Sequence, residues 1–190
     1  MKQKNCQKAS TKTRFMVDGI SYGSKTLYEF HLECKKAVED RLIGEFSIPA
    51  VTRKSRYAVY KPIIDGHEFD SLMEARYYIY LLNLKKEGKV LSFKMQVPFE
   101  LQGKFTKNGR TYRPINYVAD FVVNYKDCTH VIDTKGKETV EFKIKRKLFE
   151  YKYPKLELRI IQFYPKTGQW LGLDEIKSLK RKEKSVAHRK

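Results

Sequence analysis

The sequence predicts an α/β domain in which helices pack against a sheet. Segments with apolar residues at helical spacing are interleaved with segments that alternate apolar and polar residues, and turn residues separate them. The chain of 190 residues is 41% hydrophobic and 13% aromatic, which supplies the apolar area of a core and excludes wholesale disorder. We expect a basic flexible arm over residues 1–14, a helical and extended extension over 15–62, the α/β core over 63–173, and a basic C-terminal helix or tail over 174–190.

The extension contains one helix and a long connection. Asp18-Gly19 indicates a turn, and the residues from 26 to 40 have the pattern of a helix. Residues 44–62 contain two prolines and the basic cluster RKSR, so we expect an extended connection there.

A second unit repeats features of the first. In both, a turn, an aromatic residue and a serine precede a helix that carries a glutamate, which indicates a short internal duplication. The corresponding pairs are Asp18-Gly19 with Asp65-Gly66, Tyr22 with Phe69, and Ser24 with Ser71.

The helix of the second unit has start and stop signals. Asp70 or Ser71 can cap it because a side-chain oxygen accepts a free amide of the first turn, and Gly88 ends it. Glu74 lies in its first turn. Its predicted apolar face consists of Leu72, Ala75, Tyr78, Ile79 and Leu82.

The remainder of the core reads as three strands, a helix and a last strand. The alternation over 90–101 and the sequences YVADFVVNY and THVID predict the three strands, with a hairpin turn at 107–109. The helix over 139–153 has Val140, Ile144, Leu148 and Tyr151 at helical spacing, and Pro154 closes it. A strand over 156–163 follows, and a basic helix begins at about residue 174.

Two acids interrupt apolar strand sequence. Asp120 lies within VADFVV, and Asp133 ends THVID. A buried carboxylate costs several kcal/mol unless a cation or hydrogen bonds compensate it. If the two strands are hairpin neighbours, these acids meet at one end of the sheet, where their oxygens suit a hard divalent cation such as Mg²⁺.

Three further groups can complete this site. Lys135 projects to the same face as Asp133 because side chains alternate along a strand, so its ammonium can orient an attacking water or stabilise charge on a phosphate. The backbone carbonyl of Thr134 can be a metal ligand, and Glu74 can act through a water or a second ion.

Each of these residues also has an ordinary structural explanation. Glu74 can be a first-turn carboxylate that the helix dipole favours. Asp133 can be a turn residue at the end of a strand, and Lys135 can be a loop lysine before Gly136.

The arrangement of Glu74, Asp120 and Asp133-Thr134-Lys135 resembles the PD-(D/E)XK nuclease superfamily. The stretches DGHEFDSLMEARYYIYL, YVADF, VIDTKG and FKIKRKLFEYKYP are similar to a group of small phage and prophage proteins of that superfamily, related to Holliday-junction resolvases and TnsA-type nucleases. The resemblance implies a restriction-endonuclease-like core with a central mixed sheet flanked by helices. It also implies an Mg²⁺-dependent endodeoxyribonuclease, with Mn²⁺ expected to substitute, whose catalytic residues are Glu74, Asp120, Asp133 and Lys135.

The charge of the chain predicts a polyanionic partner. There are 40 Lys and Arg residues against 22 Asp and Glu, a formal net charge of +18. Residues 1–14 carry five basic residues and no acid, and 177–190 carry seven basic residues and one acid. We expect DNA as the partner, and nucleic-acid contacts from Lys143, Arg146, Lys147, Arg110, Arg113, Lys180, Arg181 and Lys182.

The resemblance also suggests a biological setting. It implies a phage-encoded enzyme of DNA recombination, replication or packaging that acts with partners of that process or on branched DNA. A junction resolvase would normally be a symmetric homodimer. Three widely spaced cysteines and the lack of a long apolar run argue against a disulfide framework, a structural zinc site and a membrane span, so we expect a cytoplasmic protein, in the host cell if phage-encoded.

Three alternatives from other classes share the charge. The first is a non-catalytic DNA-binding protein on a nuclease-derived fold, which has no need for Asp120, Asp133 and Lys135 together. The second is an RNA-acting nuclease or RNA-binding protein, since no sequence feature detects a 2′-hydroxyl. The third is a nuclease subunit that cuts only with a partner protein.

Overall fold

A computed structural model gives the fold and describes residues 15–17, 20–22, 24–48, 60–136 and 138–187. The expected basic arm, the Asp18-Gly19 turn and the RKSR cluster lie outside these residues. The first half of the chain forms β1 (Phe15–Val17), β2 (Ile20–Tyr22), α1 (Lys25–Glu39), β3 (Phe46–Ser47), β4 (Ile63–Ile64), β5 (His67–Glu68) and α2 (Leu72–Lys86). The second half forms β6 (Ser92–Gln102), β7 (Phe105–Lys107), β8 (Arg110–Tyr112), β9 (Ile115–Asn124), β10 (Thr129–Thr134), α3 (Val140–Lys152), β11 (Glu157–Tyr164), β12 (Gln169–Gly172) and α4 (Leu173–Ala187).

The central sheet is mixed and has helices on both faces. Its strand order is β12-β11-β10-β9-β6, in which only β10 and β11 run parallel. One hydrophobic cluster joins α1 and α2 to one face, and a second joins α3 to the other. The predicted α/β class is therefore confirmed. The predicted order of helix, three strands, helix and strand is also confirmed, and these elements are α2, β6, β9, β10, α3 and β11.

The two N-terminal units form a structural repeat with a spacing of 47 residues. Each is a short hairpin followed by a helix of 15 residues, with Ser24 and Ser71 as the N-caps. Both helices end in the same hydrogen-bond pattern, in which a left-handed residue, Arg41 or Gly88, follows the C-cap. The predicted turn at Asp65-Gly66 is confirmed, with φ of 49° and 78° at its two positions.

The expected extension and the expected core pack together. Phe30 and Cys34 of α1 lie in the same buried cluster as Leu81 of α2 and Phe121 of β9. In addition, β3 pairs with β4 across the boundary at residue 62. The described part of 15–62 therefore contributes to the hydrophobic core that supports the central sheet.

In β6 and β9, side chains of the same parity switch from one face of the sheet to the other, and the two switches lie side by side. In β9, Tyr117 and Ala119 pack in the cluster with α3, whereas Phe121 and Val123 pack in the cluster with α2, although all four have the same parity. Asp120 lies at the change. In β6, Met95 packs in the cluster with α2 and Phe99 packs in the cluster with α3. The segment between them includes Gln96, whose φ of 50° is left-handed. A local irregularity of both strands therefore sets the position of Asp120.

Two predicted helix faces are wrong in part. On α3, Val140, Ile144 and Tyr151 are exposed, and Phe142 and Phe149 are buried instead, because the larger rings cover more apolar surface against the sheet. On α2, Tyr77 and Leu81 are fully buried, whereas Leu72, Ile79 and Leu82 lie at the margin of the core. Within the described residues, no helix is long and apolar enough to span a membrane.

Candidate active site at one end of the central sheet

Asp133 is a buried carboxylate with two hydrogen-bond donors. It lies near the end of β10 and is 2% exposed. Tyr117 Oη donates to Asp133 Oδ2 at 2.8 Å, and Lys135 Nζ lies 3.1 Å from Oδ1 and 3.4 Å from Oδ2. Burial and the Asp133 charge raise the pKa of Tyr117 well above its ordinary value, so this side chain donates as a neutral phenol. The fold thus compensates the charge of Asp133 from two sides.

Lys135 has the orientation that strand alternation predicts. Its ammonium pairs with Asp133 and lies 4.1 Å from the centre of the Phe142 ring, in the first turn of α3. The Lys135 amide donates to the Ile161 carbonyl at 2.9 Å, which continues the β10–β11 pairing beyond Thr134. The ammonium is therefore held between a carboxylate and an aromatic face.

Asp120 is tied to the residue between Asp133 and Lys135. The Thr134 backbone amide donates to Asp120 Oδ2 at 2.7 Å, and the Thr134 hydroxyl donates to the same oxygen at 3.0 Å. Burial, followed by the Asp133 and Glu74 charges, raises the pKa of Asp120 to about 7. These contacts bring Asp120 to the end of the sheet that carries Asp133, as the hairpin argument predicts.

Glu74 approaches from α2, and its two carboxylate oxygens have different surroundings. Ser71 Oγ donates to Glu74 Oε1 at 2.9 Å, and the Glu74 amide donates back to Ser71 Oγ at 3.2 Å. Glu74 Oε2 is buried, and within the part of the chain that the structure describes it accepts no hydrogen bond. Burial raises the pKa of Glu74, the Ser71 hydroxyl opposes this effect, and Asp70 and Asp133 add to it. Glu74 is thus a buried carboxylate with unused acceptor capacity.

The donor set suits a hard cation. The Asp133 charge raises the pKa of both Glu74 and Asp120, so the three carboxylates lie within electrostatic reach of one another. Oxygen ligands are those that Mg²⁺ prefers. The unpartnered Glu74 Oε2 also fits a cation or a water that a cation holds. Among the described residues, no group of three or more His, Cys, Asp or Glu side chains is arranged to hold a metal ion as it stands. Each carboxylate is instead bound to its own donors.

The predicted nucleic-acid contacts are divided among three places. Lys143 and Lys147 are exposed on α3, but Arg146 donates to Glu138 Oε1 at 3.1 Å and is partly buried. Arg110 and Arg113 are exposed on and beside the β7–β8 hairpin. The third place is on α4, where Lys180, Arg181 and Lys182 are exposed.

The α4 cluster lies at the same end of the sheet as the carboxylates. Tyr164 Oη, at the end of β11, donates to Glu183 Oε1 at 3.0 Å. Because β11 runs parallel to β10, the C-terminal end of β11 lies at the same end of the sheet as Asp133. The turn of α4 that precedes Glu183 is therefore near the end of the sheet that carries Asp133.

Four residues of the site were not singled out from the sequence. Tyr117 and Phe142 contact Asp133 and Lys135 only through tertiary packing, and no local pattern indicates these contacts. Gln96 has a left-handed backbone within a strand, which an alternating sequence does not predict. The fourth is Ser71 as a partner of the Glu74 carboxylate, which the Ser-x-x-Glu spacing of a capping box could have indicated.

Residues 54–168 match the family described as Protein of unknown function (DUF1064). This span is more than half of the chain, so the chain belongs to that family. It includes α2, the strands β6 to β11 and all residues of the candidate site, and it excludes the first hairpin and α1. No curated protein and no solved structure matches the chain.

Proposed function

We propose that this protein is a metal-dependent nuclease of the PD-(D/E)XK type that hydrolyses DNA phosphodiester bonds. The observation that carries the proposal is that Asp120, Asp133 and Lys135 lie at one end of the sheet, where the Asp133 and Glu74 charges raise the pKa of Asp120. The order of elements that the resemblance implies is also the order of α2, β6, β9, β10, α3 and β11.

The carboxylates would hold the metal. Asp120, Asp133 and the Thr134 carbonyl are the proposed ligands of Mg²⁺, or of Mn²⁺ in its place, and Glu74 would act through a water or a second ion. When bound, the metal would supply Lewis-acid stabilisation of the negative charge that develops at the scissile phosphate.

Lys135 would contribute the second positive charge. Water attacks phosphorus, and the bond from phosphorus to the leaving oxygen breaks. The Lys135 ammonium, which Asp133 and the Phe142 ring hold in place, can donate a hydrogen bond to a phosphate oxygen or orient the attacking water. Tyr117 would hold Asp133 through its own hydrogen bond and act as a positioning residue.

The basic surface supports DNA as the substrate. The exposed cations of α4 lie at the same end of the sheet as the carboxylates, and those of the β7–β8 hairpin extend from that end. Such contacts to phosphate would give salt-dependent binding with little sequence preference. A role in phage recombination, replication or packaging, and a homodimer, belong to this proposal through the resemblance alone.

A cleavage screen tests the proposal. The full chain is incubated with Mg²⁺ or Mn²⁺ and with supercoiled, linear, single-stranded, flap and four-way-junction DNA. We expect Asp120→Asn and Asp133→Asn to lose at least about 100-fold of the rate, since each removes a proposed ligand charge. Both should keep or increase binding, because a carboxylate that repels phosphate is gone.

The matched control is Asp127→Asn, which makes the same chemical change at an exposed turn residue at the other end of β9 and β10. This variant should cut like the parent. Cleavage at the parental rate by either site variant would refute the assignment. Binding without cleavage of any substrate would favour a non-catalytic DNA-binding protein, and cleavage of RNA alone would favour an RNA-acting nuclease.

A further inference from the structure

The β7–β8 hairpin carries positive charge and no negative charge. Residues 103–116 contain Lys104, Lys107, Arg110 and Arg113 and no acid, and residues 104–116 are all exposed. The strands pair through Phe105 with Tyr112, Thr106 with Thr111 and Lys107 with Arg110. This surface suits a polyanion, and no part of it is needed to cover the core.

The hairpin also presents a stacked aromatic pair. The Phe105 and Tyr112 ring centres are 4.6 Å apart with an angle of 7° between the ring planes. The Arg110 guanidinium lies 5.3 Å from the Tyr112 ring centre. Despite this packing, Phe105 remains 42% exposed and Tyr112 38% exposed. An exposed flat ring beside cations is the arrangement that proteins use to stack an unpaired base while they contact its phosphates.

The hairpin extends from the end of the sheet where the candidate active site lies. β10 ends at Thr134, and β9 runs antiparallel to it, so the N-terminal end of β9 continues past the carboxylates towards the hairpin. From Asp120, five residues lead back to Ile115 and eight lead back to Tyr112. At about 3.3 Å per residue, Tyr112 is at most about 26 Å away, which is the length of about eight nucleotides.

We propose that the β7–β8 hairpin binds unpaired bases of the DNA substrate within about eight nucleotides of the bond that is cut. Phe105 provides the stacking surface, and Lys107 and Arg110 contact the phosphates. The inference rests on the proposed nuclease function for the position of the cut and deepens it, because it names DNA with unpaired bases as the substrate class. Bases within a duplex have both faces covered by neighbours, so a stacking surface distinguishes unpaired from paired DNA.

A binding experiment without hydrolysis tests the inference. The full-length Asp133→Asn chain, in EDTA, is titrated with two fluorescent DNAs of equal length, one a fully paired duplex and one a duplex with a single-stranded flap. Adding Phe105→Ala should weaken flap binding by about 5- to 100-fold and duplex binding by no more than about twofold. Adding Tyr151→Ala, which removes an exposed ring from α3, should change neither.

A second pair of variants separates stacking from charge. Lys107→Ala should weaken binding to both DNAs and lower the log–log salt slope on the duplex by about 0.9, because one phosphate contact is lost. The matched change at an exposed lysine of the β9–β10 turn, Lys126→Ala, should leave the slope unchanged. Thermal unfolding should be the same for all four variants, since none of these side chains lies in the core.

The outcomes separate this inference from the proposed function. If Phe105→Ala binds both DNAs like its parent, or weakens both equally, the inference is wrong even if the enzyme cuts DNA. If an unpaired RNA strand binds more tightly than the flap and depends more on Phe105, the assignment to DNA is wrong. If no metal supports cleavage but the flap contrast holds, the hairpin binds unpaired DNA and the nuclease proposal fails.

Discussion

Replacing Asp120 by Asn should stabilise the folded chain at alkaline pH and abolish the proposed nuclease activity. The pKa of Asp120 is raised from 3.8 to about 7 by burial and by the Asp133 and Glu74 charges. The pKa of this carboxyl is higher in the folded chain than in the unfolded chain. Its contribution to stability is therefore complete below the pKa of the unfolded chain and is lost as the pH rises through the pKa of the folded chain. With Asp120, the folded chain therefore loses stability between about pH 4 and pH 8. Asn carries no charge, so the Asp120→Asn variant avoids this loss.

The magnitude follows from the same change in pKa. At about 1.4 kcal/mol per pKa unit, the ionised Asp120 costs the folded chain at most roughly 4 kcal/mol at pH 8. Because Asp120 is only half-buried and shares the repulsion with two neighbours, we expect about 2 kcal/mol. For a chain of this length, that amount corresponds to a rise in Tm of about 4–8 °C.

Thermal unfolding at several pH values measures this effect. At pH 5 the folded Asp120 is protonated, so the gain from Asp120→Asn should fall to less than half of its value at pH 8. Asp127→Asn, at an exposed turn, should shift Tm by no more than about 1 °C at either pH. Millimolar Mg²⁺ should raise Tm of the parent at pH 8 and should raise that of Asp120→Asn much less, because a proposed ligand charge is missing.

The pH dependence is the decisive readout. If Asn weakened the hydrogen bonds from Thr134, the loss of stability would be nearly the same at all pH values. A gain that does not grow between pH 5 and pH 8 would contradict the conclusion that carboxylate repulsion is stored at this end of the sheet. An equal Mg²⁺ effect on parent and variant would contradict the assignment of Asp120 as a ligand.

Four further changes have defined outcomes. Lys135→Ala should lose most of the cleavage rate even at saturating Mg²⁺, and recovery of the rate by higher Mg²⁺ would contradict its role. Tyr117→Phe should lower the free energy of unfolding by about 1–3 kcal/mol in urea titrations, because a buried carboxylate oxygen loses the closer of its two donors. Glu74→Leu should raise Tm and lower cleavage, and a fall in Tm would mean that the carboxylate stabilises the fold. Deleting 1–14 and replacing the basic residues over 180–182 by Gln should reduce the salt slope of duplex binding by about 0.9 for each lost phosphate contact, with cleavage at saturation retained.

The sequence predicts the main elements of this fold because they carry local signals. The Ser71 cap and Gly88 bound α2, and the Asn108-Gly109 turn, with φ of 51° and 71°, closes the β7–β8 hairpin. The strand β12 (Gln169–Gly172) was not predicted, since its four residues lack the alternation that identifies longer strands. The predicted face of α3 is wrong at Val140, Ile144 and Tyr151, although Leu148 packs against the core, because two sets of apolar residues have helical spacing there. Phe142 and Phe149 are buried because α3 packs on the sheet with these two residues, and this packing is not visible in the helical sequence.

The sequence predicts the acidic residues of the candidate site but not the residues that hold them in place. A carboxylate within an apolar strand is a local anomaly, so Asp120 and Asp133 stand out from the sequence alone. Their partners do not, because Tyr117 is 16 residues from Asp133 and approaches it only when β9 and β10 pair. The change of side at Gln96 and Asp120 belongs to a pair of strands and not to either sequence. Such long-range relations need the folded chain.

The internal repeat bears on the two explanations of Glu74. Leu27 occupies in α1 the position that Glu74 occupies in α2, and both are buried, at 5% and 8% exposure. α1 has no acid in its first turn and still reaches 15 residues, so a helix in this setting forms without a carboxylate. The two helices differ in their neighbours, because α2 contacts β10, the strand that carries Asp133. A buried carboxylate beside two other carboxylates destabilises the chain unless a cation or hydrogen bonds compensate it. The comparison therefore favours the proposed role of Glu74 at the sheet over a role in the helix alone.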